Sequence, residues 1–269
     1  MKVTFDTNAL GSLAVGNASA AIVVRDAILA GRLCGFFSET LVTLEGVANV
    51  ARSPTFGAMR LQTRMTTAEA RQDGSHAIHV NLTLDHSARP SLHPQLVTLV
   101  GRLRELGFKA IRLPRIGLQV LDSAAGFALA PEPDDKLSAR LDRSNAAALA
   151  IEARGVGGAR AWALARRLAG ANVAGIDLFR SLGLASTERE IKEVAKAVGE
   201  WADGDALAAH IGHKHDVFCT NDQGKSAGGP SVLDALNRAW LTETYGVVFM
   251  TLDEVASAIQ PPADHGDQP

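Results

Sequence analysis

The sequence predicts an α/β fold: a central, mostly parallel sheet with a largely helical stretch inserted into it. Three observations carry that expectation. Short apolar runs at 2–5, 217–220 and 247–250 have the character of strands buried on both faces. Amphipathic segments alternate with such runs at both ends of the chain, as parallel strands joined by crossover helices require. The middle is dominated by Ala-rich helical periodicity instead.

In order, residues 2–5 form the first strand. A helix follows over 17–30, with Ile22, Val23, Ala27 and Ile28 as its apolar stripe and Gly31 beyond its end. Residues 33–37 make a second strand. Ser38 then caps a helix to about 52, with Leu41, Leu44, Val47 and Ala48 facing inward, stopped by Ser53-Pro54. A helix is expected over 55–72. Residues 76–86 alternate, Ile78, Val80, Leu82 and Leu84 against His79, Asn81, Thr83 and Asp85, which makes a half-exposed strand. A helix over 96–106 closes at Gly107, and a strand over 108–113 stops at Pro114. Helices follow at 117–128, 142–153, 158–169 and 187–202, and a separate one opens at Asp205 and runs to 211. After the 217–220 strand come a helix over 231–244, the 247–250 strand and a short helix over 252–259.

The chain has 269 residues, 46% of them hydrophobic and 21% charged, enough for a substantial core in one large domain or two modest ones. The tail from Pro261 reads as disordered. No stretch approaches the ~20 apolar residues of a membrane span, and the first residues lack the basic and apolar regions of a signal peptide. Cys34 and Cys219 both fall in expected core strands, where a free thiol acts as a small hydrophobe. A reduced, cytoplasmic setting is therefore expected. The net charge of −2 hides an asymmetry: residues 51–200 hold 21 Lys/Arg against 15 Asp/Glu, the remainder 6 against 14. A basic middle between acidic ends suits a protein that holds cations in one part and meets a polyanion with another.

Two carboxylates focus the chemistry. Asp6 ends the first strand in Phe5-Asp6-Thr7-Asn8, and Asp222 follows a late one in Cys219-Thr220-Asn221-Asp222. Buried parallel strands deliver such residues to the carboxyl edge of the sheet, where open α/β sheets bind ligands. Two carboxylates there suit a hard cation such as Mg²⁺ or Mn²⁺. Glu45 stands among apolar neighbours in Leu44-Glu45-Gly46-Val47, and Asp205 opens Asp205-Ala206-Leu207-Ala208-Ala209.

Taken together these segments resemble the PIN-domain nucleases. In that family the first strand ends in Asp-x-Asn, matched by Asp6-Thr7-Asn8. A Glu in the helix after the second strand is matched by Glu45, and an Asp opening an Asp-Ala-Leu-x-Ala helix by Asp205. A strand ending in Thr-x-Asp is matched by Thr220-Asn221-Asp222. Residues 111–114 and 247–255 fit the strand before the third acid and the closing strand and helix. The resemblance implies a three-layer α/β/α domain over 1–260, with 55–107 and 121–202 as insertions, in which the strands carrying Asp6 and Asp222 lie side by side. It implies a Mg²⁺- or Mn²⁺-dependent endoribonuclease with Asp6, Glu45, Asp205 and Asp222 catalytic and the three aspartates on the metal. Thr7, Asn8, Thr220 and Asn221 would orient those acids or the phosphate. RNA is the implied substrate, and a small antitoxin protein or a second copy of the chain are the implied partners. The chain departs from the family in length, because some ninety residues separate the 108–113 strand from the third acid. Asp203 and Asp142 are alternatives for that acid; Asp205 is preferred for its Asp-Ala-Leu pattern seventeen residues before Asp222.

Other chemistries fit less well. His210, His213 and His215 with Cys219 could suggest zinc, but Cys219 belongs to a core strand and 213–215 reads as an exposed loop. His76, His79, His86 and His93 lack ligand spacing. A haloacid-dehalogenase-type phosphatase needs a second Asp where Asn8 stands. A non-catalytic RNA- or partner-binding module remains as the rival. Arg160, Arg166 and Arg167 share a short helical stretch in the basic middle and are the expected RNA-binding side chains.

Overall fold

Strand β1 (Lys2–Phe5) pairs in parallel with β2 (Cys34–Ser38) on one side and with β6 (Val217–Cys219) on the other. These contacts come from a computed structural model describing residues 1–58, 60–70, 76–85, 94–113, 127, 129–170, 177–225 and 229–260. β5 (Lys109–Ile111) extends the sheet beyond β2, and β7 (Phe249–Met250) extends it beyond β6. The order β5-β2-β1-β6-β7 is parallel throughout. From β1 the chain winds first toward β5 and later toward β7. The β1–β6 boundary is therefore the switch point, where the connections on either side run in opposite directions.

Strand pleating divides the core. Val3, Phe5, Phe37, Val217 and Cys219 face one way, against α1 (Thr7–Val15), α2 (Ser19–Leu29), α5 (Pro94–Glu105) and α11 (Leu252–Ile259). Phe36, Ile111 and Phe218 face the other, against α6 (Asp134–Ala153), α9 (Glu188–His213) and α10 (Ala235–Tyr245). A third cluster is wholly helical. There Leu44 and Phe56 meet α7 (Gly158–Ala169), α8 (Leu178–Leu182) and the first half of α9. Helices on both faces of a parallel sheet make the chain α/β. Among the described residues no single helix is long and apolar enough to cross a membrane.

Several elements differ from expectation. The helix expected over 38–52 is two: a short α3 (Thr40–Thr43), then α4 (Asn49–Ala58), which carries Pro54 inside it rather than ending there. The helix expected to reach 72 stops at Ala58, and residues 60–70 are β3 (Arg60–Ala70), antiparallel to β4 (His76–Asp85). In α2 the buried stripe includes Val24, and Ile22 faces solvent. Ala48 and Cys34 are exposed, so Cys34 is no core thiol; it sits at the open start of β2. The expected helix over 117–128 and the tail after 260 lie outside the described residues, as do His86 and His93.

The most consequential difference is α9. The helices expected at 187–202 and 205–211 are one unbroken helix of 26 residues, opened by a Thr187–Glu190 capping box. Gly204, which looks like a break, serves close packing instead: a Cβ there would lie 2.9 Å from the Gly157 Cα. Asp205 is thus mid-helix, not a helix start. The expected insertion boundary at 202 falls inside this helix.

Candidate functional site

Asp6 leaves β1 at the carboxyl edge, its backbone N–H bonded to the Cys219 carbonyl of β6 at 2.9 Å. Its carboxylate caps α1. Oδ1 accepts from the Thr7 N–H at 2.7 Å, and Oδ2 accepts from Asn8 Nδ2 and Thr220 Oγ1, both at 2.7 Å. Thr220 Oγ1 in turn accepts the Asp222 N–H at 3.0 Å. Asn8 Oδ1 accepts the Asn221 N–H at 3.0 Å. Asp222 Oδ1 accepts the Gly224 N–H at 2.8 Å, which closes the turn after β6. The two strand ends are therefore laced together around Asp6; Asn8 and Thr220 act through side chains, Thr7 through its backbone N–H. Asn221 joins through its backbone N–H.

Glu45 reaches the same place from the turn between α3 and α4. The Thr7 hydroxyl donates to its Oε2. The other wall is α9. A cavity of about 600 Å³ is lined by Asp6, Glu45, Asp203 and Asp222, with Lys192 and Lys196 farther along α9 and Arg52 of α4. The structure thus brings together Asp6, Glu45 and Asp222 of the expected acids, and Asp203 in place of Asp205. Helical phase explains the exchange, since residues two apart project about 200° apart around the axis. Asp205 is buried on the far side of α9, where its charge reaches Glu39. Asp142 lies exposed on α6 and does not line the cavity.

The acids repel one another. Burial raises Asp6, and the nearby Asp222 charge adds to the rise, against the hydrogen bonds from Thr220, Thr7 and Asn8. Burial and the charge on Asp6 push Glu45 up to about 7. Asp203 is raised well above the usual carboxylate range by burial, then by Asp6, Glu45, Glu200 and Asp222. Arg52 offsets part of this charge. It is buried, donates to the Val47 and Ala195 carbonyls at 3.2 and 2.6 Å, and so ties α4 to α9 beside the acids. Glu200, also buried, accepts from the Gly157 and Val232 N–H groups at 3.0 and 2.7 Å; it pins the loop after β6 to α9.

Among the described residues, no three His, Cys, Asp or Glu side chains stand close enough, as placed, to hold a metal ion. The donor chemistry nonetheless fits a hard divalent cation. The acids are carboxylates, they face one cavity, and three of them have proton affinities raised by burial and mutual repulsion, which a cation would relieve.

The expected RNA-binding arginines lie elsewhere. Arg160 donates to the Pro230 carbonyl at 3.2 Å, Arg167 pairs with Glu193 of α9, and Arg166 is exposed on α7; none lines the acidic cavity. The cations that do line it, Lys192, Lys196 and Arg52, went unremarked in the sequence. Their signal was spacing: Lys192, Lys196, Gly199 and Asp203 recur at steps of four, three and four, one face of a helix.

The histidines differ from expectation as well. His213 belongs to α9 and is half-buried, as is His215; only Lys214 of that segment is exposed. Thr4 Oγ1 bonds His215 Nδ1 at 2.8 Å and His210 Nδ1 at 3.0 Å. Cys219 faces the opposite side of the sheet, so the four do not form a zinc site. No family model matches the chain, and comparison with curated proteins and solved structures gives no match.

Proposed function

We propose that the chain is a metal-dependent ribonuclease on a PIN-like core, hydrolysing RNA phosphodiester bonds. One observation carries the proposal: Asp6, Glu45, Asp203 and Asp222, from four separate segments, converge on a single cavity at the carboxyl edge of a parallel sheet, beside its switch point. The adjacency of β1 and β6 agrees with the family resemblance and supports it further.

Asp6, Asp203 and Asp222 would hold Mg²⁺ or Mn²⁺. When bound, the cation would supply positive charge for the phosphate oxygens and hold a water more acidic than bulk water, which a general base can then deprotonate. The rest falls to the protein's own groups. Thr7, Asn8 and Thr220 fix both oxygens of Asp6 before substrate arrives, which removes a reorganisation cost from the reaction. Glu45 has Oε2 committed to Thr7, which leaves Oε1 to take a proton from the attacking water. Arg52 keeps the acid-bearing elements together while lowering their repulsion. The toxin of a toxin–antitoxin pair, restrained by a small antitoxin protein, is the biological role the resemblance favours.

The test is incubation of purified protein with RNA and Mn²⁺, followed by sequencing of the ends. Internal cuts are expected, and Asp6→Asn or Asp222→Asn should abolish them while the circular dichroism spectrum stays that of the wild type. Wild-type cleavage by either variant refutes the site. RNA bound but left intact by the wild type would instead indicate a non-catalytic binding module.

A further inference from the structure

Charge in the acidic cavity is not uniform along α9. Asp203 lies at the inner end with the other acids, and Lys196 and Lys192 follow on the same face toward the outside, with Gly199 between Asp203 and Lys196. At a rise of 1.5 Å per residue, Lys196 stands ~10 Å and Lys192 ~16 Å from Asp203 along the axis. Both lysines are exposed. Lys192 meets Glu188 at 2.6 Å, a surface pair that water and salt readily exchange. Gly199 leaves the wall low between Lys196 and Asp203, since a Cβ there would meet only Arg52 Nη1, at 3.9 Å. The cavity is thus polarised, with acids for a cation at one end and ammonium groups at the other.

We infer that this face of α9 is a phosphate track for single-stranded RNA, with Lys196 and Lys192 gripping phosphates that flank the one at the acids. The inference rests on the ribonuclease proposal and adds a substrate class to it: a strand longer than a dinucleotide. A dinucleotide carries one phosphodiester, so it cannot occupy the acids and reach either lysine as well. Ammonium groups on flexible stems hold phosphates without reading bases, so the track contributes affinity and register but no sequence preference.

The experiment compares wild type with the double variant Lys192→Gln/Lys196→Gln, and uses Lys136→Gln, exposed on α6 away from the cavity, as control. Binding of a single-stranded RNA of roughly ten nucleotides, within the usual site sizes, is measured by fluorescence anisotropy in EDTA over a salt series. Cleavage of that strand and of a dinucleotide is measured with Mn²⁺. Losing two phosphate contacts should flatten the log–log salt slope by about 1.4 and weaken binding roughly tenfold. Cleavage of the long strand should fall with it, dinucleotide cleavage should hold within about twofold, and the control should match wild type. An unchanged salt slope, or an equal loss on both substrates, overturns the track. Should wild type leave both substrates intact under Mn²⁺, the ribonuclease proposal fails, and the EDTA salt slopes still decide whether the lysines hold phosphates.

Discussion

Replacing Glu45 by Gln should stabilise the metal-free protein at alkaline pH, and the size of the effect follows from the cavity. Gln has the shape of Glu, and its amide oxygen can still accept the Thr7 hydroxyl. Only the charge is lost. Burial and Asp6 push the Glu45 carboxyl from 4.5 to about 7. At 1.36 kcal/mol per pKa unit, holding it ionised in the folded state costs about 3 kcal/mol, an upper figure because water and side chains relax around a real charge. The sign is that of a raised group: its favourable contribution is complete below 4.5 and is lost as pH rises through 7. Glu45→Gln should therefore match wild type near pH 4.5 and exceed it by about 2–3 kcal/mol above pH 7, or roughly 4–10 °C in Tm for a chain of this size. Differential scanning fluorimetry in EDTA across that pH range measures it. Saturating Mn²⁺ should shrink or invert the gain, since the cation then neutralises the carboxylate that the variant lacks. A variant no more stable than wild type above pH 7 in EDTA, or one whose advantage does not change with pH, would refute a repulsive acid cluster around Glu45.

Asp203→Asn should lower kcat by roughly 10²-fold or more, with Asp205→Asn and Asp142→Asn within a few-fold of wild type; single-turnover kinetics under saturating Mn²⁺ rank the three, and a dead Asp205 variant alone would move the site to the Glu39 side of α9. Gly183→Ala should destabilise by about 1–3 kcal/mol in urea titration, because its Cβ would lie 2.3 Å from the Gly57 Cα where α4 crosses α8. His210 works with the opposite sign to Glu45. Burial lowers it from 6.5 to about 3, so its contribution is complete above 6.5 and drains away as pH falls toward 3. His210→Gln should then cost stability at neutral pH and close the gap with wild type in acid, again by urea titration.

What the sequence could say depended on whether a residue's role was local. The sheet strands were legible because each is an apolar run between turn residues, and Asp6 and Asp222 were legible because they stand at the ends of such runs. β3 was not legible, because Arg60–Ala70 mixes Thr with good helix formers and a ladder partner is not written in a strand's own residues. It could have been inferred from β4, since a lone alternating strand needs a partner. The preference for Asp205 over Asp203 rested on the Asp-Ala-Leu pattern, which cannot show where a helix starts. Gly204, between the two acids, admits the Gly157 backbone and the helix runs on through it. The phase of that one helix turns Asp203, not Asp205, toward the cavity.

The continuity of α9 also changes what the helical middle of the chain is for. A loop carrying the third acid could have been placed by the sheet alone. A 26-residue helix, ~39 Å long, takes its direction from everything packed against it. Arg52 holds it to α4 through the Ala195 carbonyl, Glu200 holds it to the Gly157 turn and the Val232 loop, and Trp201 and Val198 seat it in the all-helical cluster. The farther half lies against α6 and the sheet through Ala206, Leu207 and Ala209. Asp203 sits between these two sets of contacts. Its position against Asp6 and Asp222 is therefore set as much by the segment expected as an insertion as by the sheet that carries the other two aspartates. The same helix that carries Asp203 carries Lys192 and Lys196 at a fixed distance from it, so under the proposed function the chemistry and the grip on a long strand would share one rigid element.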